Sequence, residues 1–421
     1  MKIIHINTSA YGGAGLAASR LNNALNSIGV TSSLFTLHGA DNNNRFFPDN
    51  TLQGRISRYI YRQKIDRDFN RYFSSRPNNL EKFSDDRSEY KKIIEQLPEG
   101  DIINLHWIAN FIDYRNFFKS IPKRIPLVWT LHDMNPFTGG CHYSGDCRKY
   151  TESCGNCPQL GSTNSKDLSF EIWKRKRHAF SFIDPNRLHF VCPSAWLAQI
   201  AKQSSLLSKY NIHTIPNSVD TNNFKPQNKA IVREALRLPT NAKIILVGAV
   251  SINNYRKGMH LLQKAIASLS PTENIILLTL GDGNLDAGIP FQIRQFGDVS
   301  NSIFISLLYN AADVFVIPSL EDNLPNTVLE AISCGTPVVG FNTGGIPEMI
   351  RNSENGLIVS KGDTKALGEN ILLLLQNKNL RLNLSDRARQ IAVSEYNYDI
   401  QSQRYRSLYE TLLNEKISQT R

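Results

Sequence analysis

Residues 313–348 read DVFVIPSLEDNLPNTVLEAISCGTPVVGFNTGGIPE. The apolar run 313–317 is a short buried strand, and Pro318-Ser319-Leu320-Glu321-Asp322 breaks it into a loop. A helix fits 325–333, and a second strand at 337–340 leads to the pair Gly344-Gly345. Strand, polar loop, helix, strand is the repeating unit of a parallel α/β sheet, whose ligands bind beyond the carboxyl ends of the strands. Asp322 then stands in that loop and Glu330 on the next helix, where two carboxylates can hold sugar or ribose hydroxyls. The bland alternative is acidic residues placed at a helix N-terminus by its dipole. The glycine pair opens a further helix and offers backbone N–H groups to a phosphate or a hydroxyl.

Outward from this stretch the same alternation continues. A strand begins at Lys243-Ile-Ile-Leu-Val-Gly, and others are predicted at 275–280 and near 303–305, with helices at 258–269 and 363–377. Arg256-Lys257-Gly258 lies in a strand-to-helix loop, where two cations suit a diphosphate. The first half of the chain opens with a strand at 2–6, the turn Tyr11-Gly12-Gly13-Ala14-Gly15, a helix over 16–28 and a strand at 31–37. Further strands at 101–105 and 126–131 end at His106-Trp107 and His132-Asp133, and others fit 188–193 and 212–216. Asn217-Ser218-Val219-Asp220 and a polar, proline-bearing linker at 222–228 follow. A last helix over 398–415 carries Tyr405, Leu408, Tyr409 and Leu412 at helical spacing. The expectation is an α/β chain of two Rossmann-type halves.

Composition narrows the class. The 421 residues hold 48 Lys+Arg against 37 Asp+Glu, a net charge of +11, with 41% hydrophobic residues. That excludes a disordered, collagen-like or coiled-coil chain. No apolar run approaches the ~18 residues of a membrane span. The opening residues lack a signal peptide's apolar core, so a cytoplasmic protein is expected. The positive surplus favours an acidic partner: nucleic acid, anionic lipid or a phosphorylated substrate.

Taken in order, the Gly-rich first loop, His132-Asp133, Asn217-Ser-Val-Asp, Lys257-Gly258, Gly281-Asp282-Gly283, the Asp322-to-Glu330 pair and Gly335-Thr-Pro-Val-Val resemble a family. The chain is similar to the retaining GT-B glycosyltransferases of family 4. The Trp129-Thr-Leu-His-Asp133 stretch followed by four cysteines resembles the exopolysaccharide, O-antigen and colanic acid enzymes of bacteria. The resemblance implies two Rossmann-like domains facing across a cleft, with residues 1–221 the acceptor domain and 222–397 the nucleotide-sugar donor domain. Residues 398–421 form a helix crossing back to the first. It implies transfer of a hexose-type sugar from a UDP- or GDP-linked donor to a glycan or lipid-linked acceptor in surface polysaccharide synthesis. No catalytic metal is expected.

The implied roles fall on single residues. His132 faces the donor sugar, and Gly12, Gly13 and Gly15 approach the diphosphate. Lys257 binds phosphate and Glu330 the ribose hydroxyls, while Asp322 takes a position where the family usually has glutamate. Asn323, Leu324, Pro325, Asn326 and Thr327 line the sugar and phosphate pocket, and Asp133, Asn217, Gly281 and Gly283 lie at the substrate. His106 either lines the acceptor side or is structural. The family's second cation usually lies six residues before the lysine, where this chain has Ser251, and Arg256 is the substitute.

Two features stand outside these motifs. Cys141, Cys147, Cys154 and Cys157 crowd into 17 residues within the loop 139–158. A closed tetrahedral Zn2+ site, reduced thiols and disulfides are the three readings of this set. Residues 55–73 interleave six Arg and Lys with apolar and aromatic residues. A helix packing its apolar face on the core is the favoured reading, and a helix lying on an anionic membrane is the other. Nucleic acid is not expected as a partner. Rival functions are an impaired transferase-like partner in an assembly complex, a nucleotide-sugar epimerase on the same fold, and a zinc-bearing nucleic-acid binder.

Overall fold

A computed structural model describes residues 1–39, 44–77, 82–267, 274–283 and 289–419. Residues 268–269, at the end of a helix expected from sequence, lie outside them. The chain forms two compact units, Met1–Pro216 with Ser402–Arg421, and Asn217–Gln401. The linker expected at 222 thus begins inside the second unit.

The first unit runs β1 (Lys2–Ser9), α1 (Gly12–Ser27), β2 (Thr31–His38), α2 (Leu52–Asn70), β3 (Ile102–Leu105), α3 (Tyr114–Ser120), β4 (Leu127–Thr130), α4 (Leu168–Phe180), β5 (Leu188–Cys192), α5 (Ala195–Gln203) and β6 (Asn211–Thr214). Its strands form one parallel sheet in the order β2-β1-β3-β4-β5-β6. β3, β4 and β5 are buried along their whole length, as expected of parallel strands covered on both faces.

The second unit runs α6 (Lys229–Ala235), β7 (Lys243–Ser251), α7 (Met259–Ala267), β8 (Ile275–Asp282), β9 (Gln292–Gln295), α8 (Ser302–Ala311), β10 (Val314–Ile317), α9 (Asn326–Ser333), β11 (Val338–Asn342), α10 (Ile346–Met349), β12 (Gly356–Ser360), α11 (Thr364–Gln376) and α12 (Lys378–Glu395). Its sheet is also parallel, in the order β12-β11-β10-β7-β8-β9. The last helix, α13 (Tyr398–Gln419), joins the first unit from Ser402 onward. There Tyr405, Tyr409 and Leu412 pack with Ile3, Val128 and Val191. The Tyr405 hydroxyl pairs with Thr130 Oγ1 at 2.9 Å, and Asn104 Nδ2 donates to the Tyr409 hydroxyl at 2.8 Å.

Three expectations are corrected. The strand expected near 303–305 is the first turn of α8, because the Asn301 side chain caps that helix by accepting from Phe304 N. β9 and β12 were not expected; β9 offers only one apolar residue, Ile293. Third, α2 packs its apolar face only in part: Ile65 is buried and Phe69 packs on Phe83, as the core-packing reading expects, while Ile56, Tyr59 and Ile60 are 50%, 65% and 63% exposed. No helix among the described residues is long and apolar enough to cross a membrane.

Candidate functional site

Each sheet reverses its winding at one point: between β1 and β3 in the first unit, and between β7 and β10 in the second. The crevice beyond the strand ends at such a point is where open parallel sheets bind ligands. Both points collect candidate residues.

In the second unit, the loop after β7 carries Arg256 and Lys257, and the loop after β10 carries Asp322. The two loops touch backbone to backbone, with Leu320 N donating to Arg256 O at 2.7 Å. Gly258, at φ +69°, permits this approach, since a Cβ there would lie 1.8 Å from Pro318 O. Lys257 Nζ lies 2.6 Å from Asp322 Oδ2, Arg256 Nη1 lies 3.3 Å from Oδ1, and Ser319 Oγ donates to Oδ2 at 3.1 Å. Burial alone would raise the Asp322 carboxyl; Lys257 and Arg256 outweigh it and hold the group at about 2. The expected trio is therefore together, but the two cations already neutralise the carboxylate, leaving a formal surplus of one positive charge.

The loop after β11 closes on the same place. Gly344 takes φ +59°, a Cβ there would stand 1.9 Å from Asp322 O, and Gly345 N donates to that oxygen at 3.0 Å. Asn323 and Leu324 are buried, ahead of Pro325, Asn326 and Thr327 at the start of α9. Glu330 is buried on α9 and accepts from the Tyr309 hydroxyl at 3.1 Å. Tyr309 on α8 was not foreseen; its apolar surroundings in the sequence gave no sign of a polar partner. Asn217 is buried and donates to Leu324 O at 3.4 Å. Gly281 and Gly283 stand at the end of β8; at Gly281, φ +113°, a Cβ would lie 1.6 Å from Ala249 O.

In the first unit, Gly12, Gly13 and Gly15 open α1 just beyond β1. His132 follows β4 and does not stand alone. Its Nε2 lies 2.9 Å from Nδ1 of His106, whose Nε2 lies 2.9 Å from Nδ1 of His5. His5 lies on β1, and His106 and His132 lie just past the ends of the neighbouring β3 and β4, a juxtaposition that only the sheet order reveals. His106 is accordingly an interior residue, 2% exposed. Burial lowers all three, His5 to about 3 and His132 to about 4, so they are neutral at pH 7. Asp133 is buried and committed to protein partners: Trp107 Nε1 at 2.9 Å, His142 Nδ1 at 2.7 Å and Asn135 N at 2.9 Å. Ser84 Oγ meets the far side of His142 at 2.8 Å. The arrangement suits a support for the His132 loop.

The four-cysteine loop follows. Cys141, Cys147, Cys154 and Cys157 all line one cavity of about 20 Å³, room for a single small occupant. Among the described residues no three His, Cys, Asp or Glu side chains are drawn together as a metal-ligand set, the four cysteines included. Gly139 N donates to Cys154 Sγ at 3.1 Å, and Leu160 N donates to Cys157 O at 3.1 Å. Buried Lys176 on α4 clamps the start of the loop through Asn135 O and Thr138 O, at 2.5 and 3.1 Å.

Comparison with known proteins agrees with this architecture. Residues 241–377 match the family model "Glycosyl transferases group 1". A Campylobacter jejuni N,N'-diacetylbacillosaminyl-diphospho-undecaprenol alpha-1,3-N-acetylgalactosaminyltransferase is 32% identical over 38% of this chain and 43% of its own. A Rhizobium meliloti lipopolysaccharide core biosynthesis glycosyltransferase is 29% identical over 52% and 63%. The chain spans about half the length of the curated relatives it matches. Sucrose-phosphate synthase of Thermosynechococcus elongatus superposes with a TM-score of 0.67 at 16% identity, over 99% of this chain and 100% of that one. Anabaena HepE, solved with UDP-glucose, gives 0.60 at 17%, over 98% and 100%. These likenesses show an α/β fold of the GT-B type.

Proposed function

We propose that this chain is a retaining glycosyltransferase of bacterial surface polysaccharide synthesis, moving a hexose-type sugar from a nucleotide diphosphate sugar to a lipid-linked glycan. The observation that carries the reading is the Arg256–Lys257–Asp322 cluster at the winding reversal of the second unit, inside the segment that matches the family model. Bond cleavage at the anomeric carbon puts negative charge on the leaving diphosphate. Two cations and a helix N-terminus stabilise it without reorganising, since Asp322 already fixes their side chains. Glu330 would take the ribose hydroxyls and His132 a sugar hydroxyl. UDP is the favoured base because HepE was solved with UDP-glucose. The undecaprenol-linked substrate named for the Campylobacter relative motivates the lipid-linked acceptor.

The exposed stripe of α2 fits such an acceptor. Ile56, Tyr59 and Ile60 stand among Arg55, Arg58 and Arg62, a composition that suits the headgroup layer of an anionic membrane. The four-cysteine cavity is proposed as a structural Zn2+ site, supported by four cysteines lining one small cavity and by the Gly139 N–H bond to Cys154 Sγ. Metal analysis should find one zinc per chain; four thiols freely titratable in the native, metal-free protein would discard it.

A thermal-shift panel of UDP, GDP and ADP with their common sugars tests the donor. A ligand at 100 times its Kd adds ~2.7 kcal/mol. A rise with one base, abolished in Lys257→Ala, is the expected result. No rise with any nucleotide would bring the impaired-partner reading forward.

A further inference from the structure

We infer that His5, His106 and His132 form one polarised hydrogen-bond chain that fixes His132 as an Nδ1–H donor, with His106 and His5 as positioning residues. Two N···N contacts of 2.9 Å join the three rings. Three neutral imidazoles carry three protons, and the two contacts use two of them. The third proton must sit at one end of the chain.

If it sits at His132, His5 Nδ1–H donates to His106 Nε2, His106 Nδ1–H donates to His132 Nε2, and His132 keeps a proton on Nδ1. If it sits at His5, every bond reverses and His5 carries an Nε2–H. That atom is buried and has no hydrogen-bond partner among the described residues. A buried N–H without an acceptor is among the rarest defects in folded proteins. The charge distribution points the same way. Asp133, held ionised by His142, stands beside His132 and attracts the positive end of the chain dipole. The sense is therefore from His5 toward His132. Nε2 of His132 is occupied as an acceptor, so the ring carries its proton on Nδ1 and does not act as a base at Nε2.

The use of this donor on a sugar hydroxyl rests on the function proposed above; the tautomer itself does not, and the two are read separately. Long-range 1H–15N correlation on full-length, 15N-histidine-labelled protein at pH 7.5 reports the protonated nitrogen of each ring. His5→Phe, His106→Asn and His132→Gln identify the signals among nine histidines. The expected spectrum has His5, His106 and His132 all protonated at Nδ1 and bare at Nε2. Wild-type His132 protonated at Nε2 would overturn the inference without recourse to any variant. His106→Asn keeps an amide donor near the Nδ1 position and should hold His132 in the Nδ1–H form. His106→Leu should release it to a mixture, and a His132 tautomer unchanged there would overturn the positioning role. In sugar transfer, His106→Leu should lower kcat about tenfold or more, by analogy with the orienting partners of metal-bound histidines, and His106→Asn should recover most of it. An absence of sugar transfer by the wild type would count against the proposed function and leave the tautomer result standing.

Discussion

At Asp322, burial and neighbouring charge oppose one another, and charge wins. Removing Lys257 leaves a buried carboxylate with one cation fewer, which costs about 3 kcal/mol or more when a buried pair is broken. Lys257→Ala should therefore lower the denaturation midpoint and cut sugar transfer by about 10²–10³-fold. Undiminished transfer in a folded variant would remove Lys257 from the mechanism. The buried histidines make a second prediction. Their folded values lie below 6.5, so stability is complete above about pH 6.5 and is lost as pH falls, because the unfolded chain takes up protons first. Each contributes a fall of about 1.4 kcal/mol per pH unit below that point until its folded value is reached. Urea unfolding at pH 7.5 and 5.5 reads the loss, which should shrink in His5→Phe. An equal fall in that variant would contradict the account of His5. Arg256, Lys257 and Asp322 were legible in sequence because loop residues beside strands declare themselves by polarity. His5 was not, since its partners lie 101 and more positions away and only sheet order unites them.

Among the elements, α2 departs most from its sequence reading. Amphipathic spacing says which residues share a face, not what covers it. Here Ile65 is buried, Phe69 packs on Phe83, and Tyr61 ties the helix down by donating to Asp113 at 3.0 Å. The exposed Ile56, Tyr59 and Ile60 leave an apolar stripe among cations. Full-length protein should sediment with phosphatidylglycerol vesicles and not with phosphatidylcholine ones, and salt should weaken the binding. Replacing Arg55, Lys64 and Arg67 with Gln should weaken it by ~3 kcal/mol, at ~1 kcal/mol per basic residue. Equal binding to both vesicles would refute an electrostatic anchor. The error near 303–305 has a similar origin. Ile303-Phe304-Ile305 has strand composition, but the cap at Asn301 and ten residues of continuous helix decide the matter.

For the whole molecule, the alternation of strands and helices was readable, and strand order was not. Neither sheet follows chain order, and the winding reversals that gather His5 with His106, and Lys257 with Asp322, exist only in the folded sheets. The four cysteines sit between these scales: their spacing declared a cluster, while the cavity they ring appears only with the loop folded. The most direct measurement is transfer itself. Purified protein is incubated with UDP- and GDP-linked hexoses and an undecaprenyl-diphosphate-linked acceptor, and the products are read by mass and by the anomeric coupling of the new bond. The expected result is one added hexose from one donor, with the donor's anomeric configuration kept and with loss of product in Lys257→Ala. Binding of a nucleotide sugar with no product from any acceptor tried would favour the impaired partner, and an inverted linkage would contradict the retaining chemistry.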